Sequence, residues 1–270
     1  MTSTTSITAE PPVERRAPAI ELRGVLARRG GRPVLAVDRL DVPAGRVCAV
    51  VGPNGSGKST LLHVIAGVLP GVDGDVRVLG HPPAEVRRRV AYVLQATAVG
   101  EHLPVTVREV VAMGRYAWGR RSDRRADRAA VDAAIERLEL GDLVRRHVGE
   151  LSGGQRQRVL VAQGLAQQGE LLLLDEPVSG LDTPSAARIR SVVSDERAAG
   201  HTAVVATHDL VESAAADWVV LLAGRLLAAG PPARVLSRGH LTEAYGDRLL
   251  RVADELVVVD DGAHHQGEAR

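Results

Sequence analysis

One stretch, Gly52-Pro53-Asn54-Gly55-Ser56-Gly57-Lys58-Ser59-Thr60, restricts what this chain can fold into more than any other. It fits G-x-x-x-x-G-K-[ST], in which glycines let a tight turn aim backbone N–H groups inward around a polyphosphate, and the helix that opens near Ser59 adds the positive end of its dipole. Such a loop needs an apolar strand before it and a helix behind it. Both are legible: residues 46–51 form a short apolar run, and residues 61–69 continue in helical spacing until Pro70-Gly71 closes them. Composition sharpens the point, because the chain has 34 basic residues of which Lys58 is the only lysine, and Asn54 is its only asparagine. A compact ammonium on a thin stem reaches the β- and γ-phosphates, where a planar guanidinium would be bulkier and differently directed. Ser59 is then expected to offer its hydroxyl to Mg²⁺.

The rest of the chain reads as an α/β protein with a mainly parallel sheet. Residues 1–18, rich in Thr, Ser and Pro, are expected to be a disordered tail. Strand patterns follow at 20–26 and 75–79, and again at 90–94, 171–174 and 203–206, with a helical segment at 184–199 between the last two as parallel pairing requires. Between about 97 and 166 the spacing turns helical, with Val107, Val110, Val111, Val131, Ile135 and Leu138 on one face, which predicts a helical subdomain inserted in an α/β core. In that insertion Arg120, Arg121, Arg124, Arg125 and Arg128 alternate with Asp123 and Asp127, the pattern of a solvated face. Residues 251–270 read as a C-terminal tail, and His264-His265 there lack companion ligands for a metal.

Several function classes fall away. The longest apolar runs, at 171–174 and 219–223, are far short of the roughly 20 residues of a membrane-spanning helix. A net charge of +1 gives no global attraction to nucleic acid. The one cysteine, Cys48, sits in an apolar run and can form no intrachain disulfide, and no signal-peptide pattern opens the chain, so a cytoplasmic location is expected.

Chemistry concentrates in two further stretches. Leu171-Leu172-Leu173-Leu174-Asp175-Glu176-Pro177 is a buried strand ending in two carboxylates, which a parallel sheet delivers to the same edge as the phosphate loop. Asp175 is expected to hold Mg²⁺ through its water shell, and Glu176 to act as general base toward the attacking water. Leu151-Ser152-Gly153-Gly154-Gln155 then places a Ser-Gly-Gly turn at a helix N-terminus, a second anion site offering N–H groups and a hydroxyl.

With that last motif the chain resembles the ATP-binding-cassette ATPases over roughly residues 19–250. The resemblance implies a nucleotide-binding core carrying an antiparallel β subdomain and the inserted helical subdomain. It implies ATP and Mg²⁺ as cofactors, and a head-to-tail dimer, or a pairing with a related cassette. In that dimer Ser152, Gly153, Gly154 and Gln155 of one subunit close over ATP held at Lys58 of the other. It also assigns Gln95 to the loop that reaches Mg²⁺, Ser179-Gly180-Leu181-Asp182 to the loop crossing the dimer interface, and His208 to the switch that contacts the γ-phosphate and steadies Glu176. One departure stands out: where the family stacks an aromatic residue on adenine this chain has Ala27-Arg28-Arg29-Gly30-Gly31, so a guanidinium of Arg28 or Arg29 is expected to lie on the base.

Such an ATPase is expected to work as a peripheral subunit on the cytoplasmic face of the membrane, docked on separate permease subunits. The stretch Pro104-Val105-Thr106-Val107, followed by residues 110–116, is similar to the ATPases of zinc and manganese importers and less closely to those for siderophores and cobalamin. An extracytoplasmic substrate-binding protein is implied for an importer. A drug or lipid exporter and a soluble member acting on ribosomes or DNA are the competing classes, the latter disfavoured by a single phosphate loop without a long coiled-coil insertion; no nucleic-acid partner is expected.

Overall fold

The apolar runs too short to be amphipathic helices become the middle of a six-stranded sheet. A computed structural model describes residues 17–94, 104–121, 123–246, 249–252 and 255–258. The sheet comprises β3 (Val47–Val51), β5 (Val90–Val93), β6 (Leu171–Asp175), β7 (Thr202–Thr207), β8 (Trp218–Leu222) and β9 (Leu226–Gly230), in the order β5-β6-β7-β3-β8-β9. Every neighbouring pair is parallel except β8 with β9. All six residues of β7 are buried, as a central strand covered on both faces requires.

A second sheet, order β2-β1-β4, is antiparallel and built from β1 (Pro18–Arg29), β2 (Arg32–Pro43) and β4 (Val72–Val78). Gly30 and Gly31 make the two-residue turn between β1 and β2 with φ of 56° and 78°, the left-handed pair that matches strand twist. Helix α1 (Lys58–Ile65) lies between this sheet and the larger one, so that Leu22, Leu35 and Leu40 share one core with Leu61, Leu62 and Leu173. The expectations for β1 and β4 therefore hold, whereas β2 has no counterpart in the sequence reading. Its apolar set changes phase, with Leu35 and Val37 buried first and Leu40 and Val42 afterwards, so strict alternation fails.

Between β5 and β6 the chain runs through α2 (Val107–Met113), α3 (Arg124–Arg137) and α4 (Gly153–Ala166). Val107, Val110, Val111, Val131, Ile135 and Leu138 are all buried in one cluster with Leu172 and Leu174 of β6. Beyond β6 come α5 (Thr183–Ala198), α6 (Leu210–Ala214), α7 (Pro232–Val235) and α8 (Arg238–Tyr245). The strands β10 (Leu249–Val252) and β11 (Glu255–Val258) pair antiparallel, so part of the stretch read as a tail forms a hairpin.

The basic run of the helical region divides in two. Arg124, Arg125 and Arg128 are exposed as expected, and Asp123 caps α3 through the Arg125 N–H at 2.9 Å. Asp127 turns away from that face, to Arg115, whose Nε donates to its Oδ1 at 2.6 Å. Arg115 is only 9% exposed and also donates to the Ala166 carbonyl at 2.9 Å and to Gln168 Oε1 at 3.0 Å. Its guanidinium lies 4.9 Å from the Trp118 ring centroid. Trp118 donates in turn to the Gln167 carbonyl at 2.9 Å, and the Gln167 side chain to Val90 O at 2.7 Å. One buried cation thus ties the end of α2 and the start of α3 to the end of α4, and through Gln167 to the start of β5. Removing one member of such a pair leaves the other poorly solvated, so Arg115→Ala is expected to lower the free energy of unfolding by about 3 kcal/mol, read as an earlier urea midpoint; an unchanged midpoint would show that the brace is not what holds these helices together.

Candidate functional site

Parallel strands deliver their C-terminal ends to one edge, and there the chain concentrates its polar loops. Gly52 follows β3 and has no room for a side chain, because a Cβ would run into the carbonyl oxygen of Leu222 at the end of neighbouring β8. The loop then folds on itself, with the Ser56 N–H donating to Pro53 O at 3.0 Å and Gly224 N–H to Ser56 O at 2.9 Å. Gly55 and Gly57 take left-handed φ of 78° and 102°. Gly57 is the N-cap of α1 and supplies no side-chain acceptor, so the first N–H groups of that helix face the loop without a side-chain cap. Pro53, Asn54 and Gly55 form its lip with Ser59 exposed beside them, and Thr60 is buried beneath.

Lys58 is 6% exposed and folds over this loop, its Nζ donating to Gly52 O at 2.9 Å and Pro53 O at 3.3 Å. The Ser56 hydroxyl is buried and meets no partner among the described residues. A concave nest of N–H groups, a buried ammonium folded onto loop carbonyls, and an orphaned hydroxyl are what a polyphosphate would satisfy together. The donor set fits the anion.

Asp175 and Glu176 leave the sheet two strands away, at the end of β6, with β7 between them and β3. The Glu176 N–H donates to Ala206 O at 3.0 Å, which fixes its height against β7. Glu176 itself has φ of 46°, a left-handed conformation uncommon outside glycine and held here by its surroundings. His208, just beyond β7, brings Nδ1 to 3.8 Å from Glu176 Oε2. Its loop is buttressed from below: the Thr207 hydroxyl donates to Glu212 Oε2 at 2.8 Å and accepts from the Asp209 N–H at 3.1 Å, and Asp209 caps α6 through the Val211 N–H at 2.7 Å. Glu176, Ser179 and His208 line a cleft of about 200 Å³.

Ser152, Gly153, Gly154 and Gln155 form a cluster of their own at the start of α4. The Ser152 hydroxyl oxygen accepts from the Gln155 N–H at 3.2 Å, and Gln155 Oε1 accepts from the Ser152 N–H at 3.1 Å, a reciprocal capping box. Gly154 presses on the start of α5, where a Cβ would stand 2.7 Å from Ser185 Oγ and collide with the Asp182 carboxylate. Asp182 caps α5, accepting from the Ser185 N–H at 2.9 Å. The sequence-predicted residues therefore fall into two groups: the 52–60 loop with Asp175, Glu176 and His208 on the sheet edge, and Ser152–Gln155 with Asp182 where α4 meets α5. Gln95 lies outside the described residues, although Leu94 O, at the end of β5, accepts from the Gln157 side chain at 3.5 Å.

Two neighbours of the site carry no motif signal. Tyr92 brings its hydroxyl to 3.5 Å from Asp175 Oδ2, and His63 of α1 meets the Tyr92 ring edge-on at 5.5 Å between centroids. Burial and the nearby Arg29 charge push the His63 imidazole below its ordinary value, against a raising pull from Asp175. Of the two arginines at the end of β1, Arg28 pairs with Asp73 at 3.6 Å, and Arg29 stays exposed at the hairpin whose Leu35 packs under Gly57.

A family model described as ABC transporter matches residues 35–179. The manganese transport system ATP-binding protein MntB of Bacillus subtilis is 35% identical over 243 residues, 88% of this chain and 96% of that protein. The hemin import ATP-binding protein HmuV of Streptomyces coelicolor is 43% identical over 231 residues, 82% of this chain and 81% of that one. Among solved structures, the ADP conformation of an ATP-binding cassette of an ABC transporter matches with a TM-score of 0.71 at 26% identity, over 85% of this chain and 99% of that one.

The Ser185 N–H and hydroxyl hold the Asp182 carboxyl below its ordinary pKa. A carboxyl lowered by folding stabilises fully above its unfolded pKa, and that contribution is lost as pH falls through the lowered folded value. Asp182→Asn keeps a capping acceptor without the charge, so its stability is expected to decline less between pH 5 and pH 3 than that of the wild type; parallel urea-midpoint profiles for the two proteins would contradict this.

Proposed function

The chain belongs to the ABC transporter family, and we propose that it hydrolyses ATP to drive import of a metal ion through separate membrane subunits. The observation that carries the ATPase reading is the convergence on one sheet edge of an anion-ready loop, two carboxylates and a histidine, with a second capped helix N-terminus turned to other work at α4.

In this reading the Lys58 ammonium exchanges the carbonyls of Gly52 and Pro53 for β- and γ-phosphate oxygens, and the Ser56 hydroxyl gains the partner that the folded chain denies it. Ser59 and Asp175, with Gln95, would hold Mg²⁺, which when bound neutralises charge on the β- and γ-phosphate oxygens. Glu176 takes a proton from water as the water oxygen bonds to the γ-phosphorus and the bond to the leaving ADP oxygen breaks. His208, whose Nδ1 lies 3.8 Å from Glu176, is assigned to hydrogen-bond both Glu176 and the γ-phosphate, a role that accords with the support given to its loop by Thr207, Glu212 and Asp209.

Ser152 completes the picture from a second copy. Its oxygen already accepts from Gln155, and its proton remains to be donated outward to a γ-phosphate. We therefore assign Ser152, Gly153, Gly154 and Gln155, with Asp182, to ATP bound at Lys58 of a partner chain in a head-to-tail dimer or a pairing with a related cassette. ATP then favours the closed pair because it touches both halves, the differential affinity that any ligand-driven change demands.

Among the described residues no helix is long and apolar enough to cross a membrane. After the transport-system names of the relatives, we assign the chain to the cytoplasmic side of separate membrane subunits as a peripheral partner, with an extracytoplasmic binding protein supplying the substrate. Manganese is the first candidate, after the name of the Bacillus subtilis relative, with zinc beside it from the 104–116 similarity; the second reading is a metal chelate such as hemin, favoured by the identity to HmuV.

At the base end we assign Arg29 to adenine. Arg29→Ala is expected to weaken ATP binding by about 0.5–2 kcal/mol and GTP binding by a similar amount, because a guanidinium stacks on either base; strong ATP preference untouched by that substitution would sink the assignment. For the cargo, cells carrying Lys58→Ala in this chain are expected to accumulate at least about tenfold less manganese or zinc from trace medium, because the ammonium that positions the phosphates is gone. Normal uptake of both ions with lost growth on hemin would transfer the assignment to the chelate.

A further inference from the structure

The two residues that follow α6, Ala215 and Ala216, are too small to fill the space they border. Between α5 and α6, over β3 and β7, the structure accordingly leaves a groove of about 210 Å³. It lies on the seam between two separate cores, one holding Ile189, Val193 and Val205 on the α5 side, the other Ala49 and Ala216 on the α6 side. Interiors are ordinarily packed to crystal density, and an apolar space of this size open at one side is the shape of a small-molecule site.

Its rim is charged. Arg190 and Arg197 stand seven residues apart on α5 and so share a face, and both border the groove. Arg190 Nε lies 3.4 Å from Glu212 Oε1 with its side chain 53% exposed, and Arg197 Nη2 lies 2.7 Å from Asp217 Oδ1. Arg46 Nη1 also approaches that Asp217 oxygen at 3.7 Å, outside the groove, so the charges that border the groove itself are the guanidiniums of Arg190 and Arg197 and the carboxylate of Glu212. Glu212 would not be stranded if Arg190 turned to another anion, since its other oxygen accepts from Thr207. At its inner end the groove is closed by Pro177, Val178 and Thr207, the residues flanking Glu176 and His208.

We propose that this groove binds a small amphipathic monocarboxylate, its hydrocarbon part against Val193 and Ala215 and its carboxylate on Arg190, and that occupancy alters hydrolysis through the Glu176 and His208 loops. The apolar walls favour a hydrocarbon, the surplus guanidinium favours one negative charge, and the volume excludes a two-chain lipid. The regulatory half rests on the ATPase reading above; the binding half does not.

Octanoate is the probe, with octanol as its uncharged counterpart, titrated into the full chain without nucleotide and followed by calorimetry. One equivalent of octanoate is expected to bind saturably. Arg190→Gln should weaken octanoate about tenfold while leaving octanol unchanged, as removal of a charged hydrogen bond demands. Ala215→Leu, which fills the groove, should weaken both ligands at least about tenfold, with ATP binding and thermal unfolding as checks on folding. Binding that fails to saturate, or that is equal in all three proteins, would overturn the site. Saturating octanoate is further expected to change wild-type ATP turnover at least about twofold, and the octanoate concentration giving half of that change to rise about tenfold in Arg190→Gln. Intact binding with unmoved turnover would overturn the regulatory half, and intact binding with no turnover in any protein would count against the ATPase reading instead.

Discussion

A helix that starts without a side-chain cap is the constraint on which this structure turns. The N-terminus of α1 presents N–H groups to a loop whose own residues have left-handed or sterically closed backbones, with a buried lysine and an orphaned serine hydroxyl beside them. Left alone the Ser56 hydroxyl is costly, since a buried polar group without a partner forfeits about 1–3 kcal/mol. Phosphate oxygens discharge that cost. The fold is stable enough to hold the loop in waiting because β3 lies in the middle of the sheet, hydrogen-bonded on both sides, so that the strain at Gly52 and Gly57 falls on the best-anchored strand.

Strand order then decides which chemistry can join the phosphate. Placing β7 between β3 and β6 sets His208 between the phosphate loop and the carboxylates, and the bond from Glu176 N–H to Ala206 O locks the levels of the two loops together. Helix α4 is the other long connection. It begins at the Ser152 cap, touches the end of β5 through Gln157, and finishes in the carbonyls gripped by Arg115. One continuous helix thus joins the contacts of Arg115 and Trp118 at its end to Ser152 at its start, the group assigned to the partner's nucleotide.

What was legible in the sequence was whatever the backbone or a short spacing encodes. Lys58 and its glycines, the apolar run ending at Asp175 and Glu176, and the Ser-Gly-Gly turn before α4 are local, so their spacing survives without the fold. The apolar faces of α2 at Val107, Val110 and Val111 and of α3 at Val131 and Ile135 were equally plain, since burial within each helix follows the helical period. Strand β2 was not, because its apolar phase shifts between Val37 and Leu40, and β8 was visible only as an apolar run. The partnership of Asp127 with Arg115 and the Tyr92 hydroxyl beside Asp175 depend on tertiary placement, whereas the pairing of His208 with Glu176 was expected from the family resemblance alone. The groove beside α6 was hidden for a different reason: a row of alanines reads as an ordinary helix end, and only packing shows what such residues leave empty.

The central claim is that each nucleotide site is completed by a second chain, and mixing two defective chains tests it most directly. In a Glu176→Gln background, where hydrolysis is expected to stop and the closed state to persist, a Lys58→Ala chain keeps its Ser152 turn, and a Ser152→Arg chain keeps its phosphate loop. Native mass spectrometry of the mixture with ATP should find heterodimers holding one nucleotide, while neither chain alone dimerises. ATP bound by monomeric Ser152→Arg chains with no heterodimer in the mixture would contradict the account.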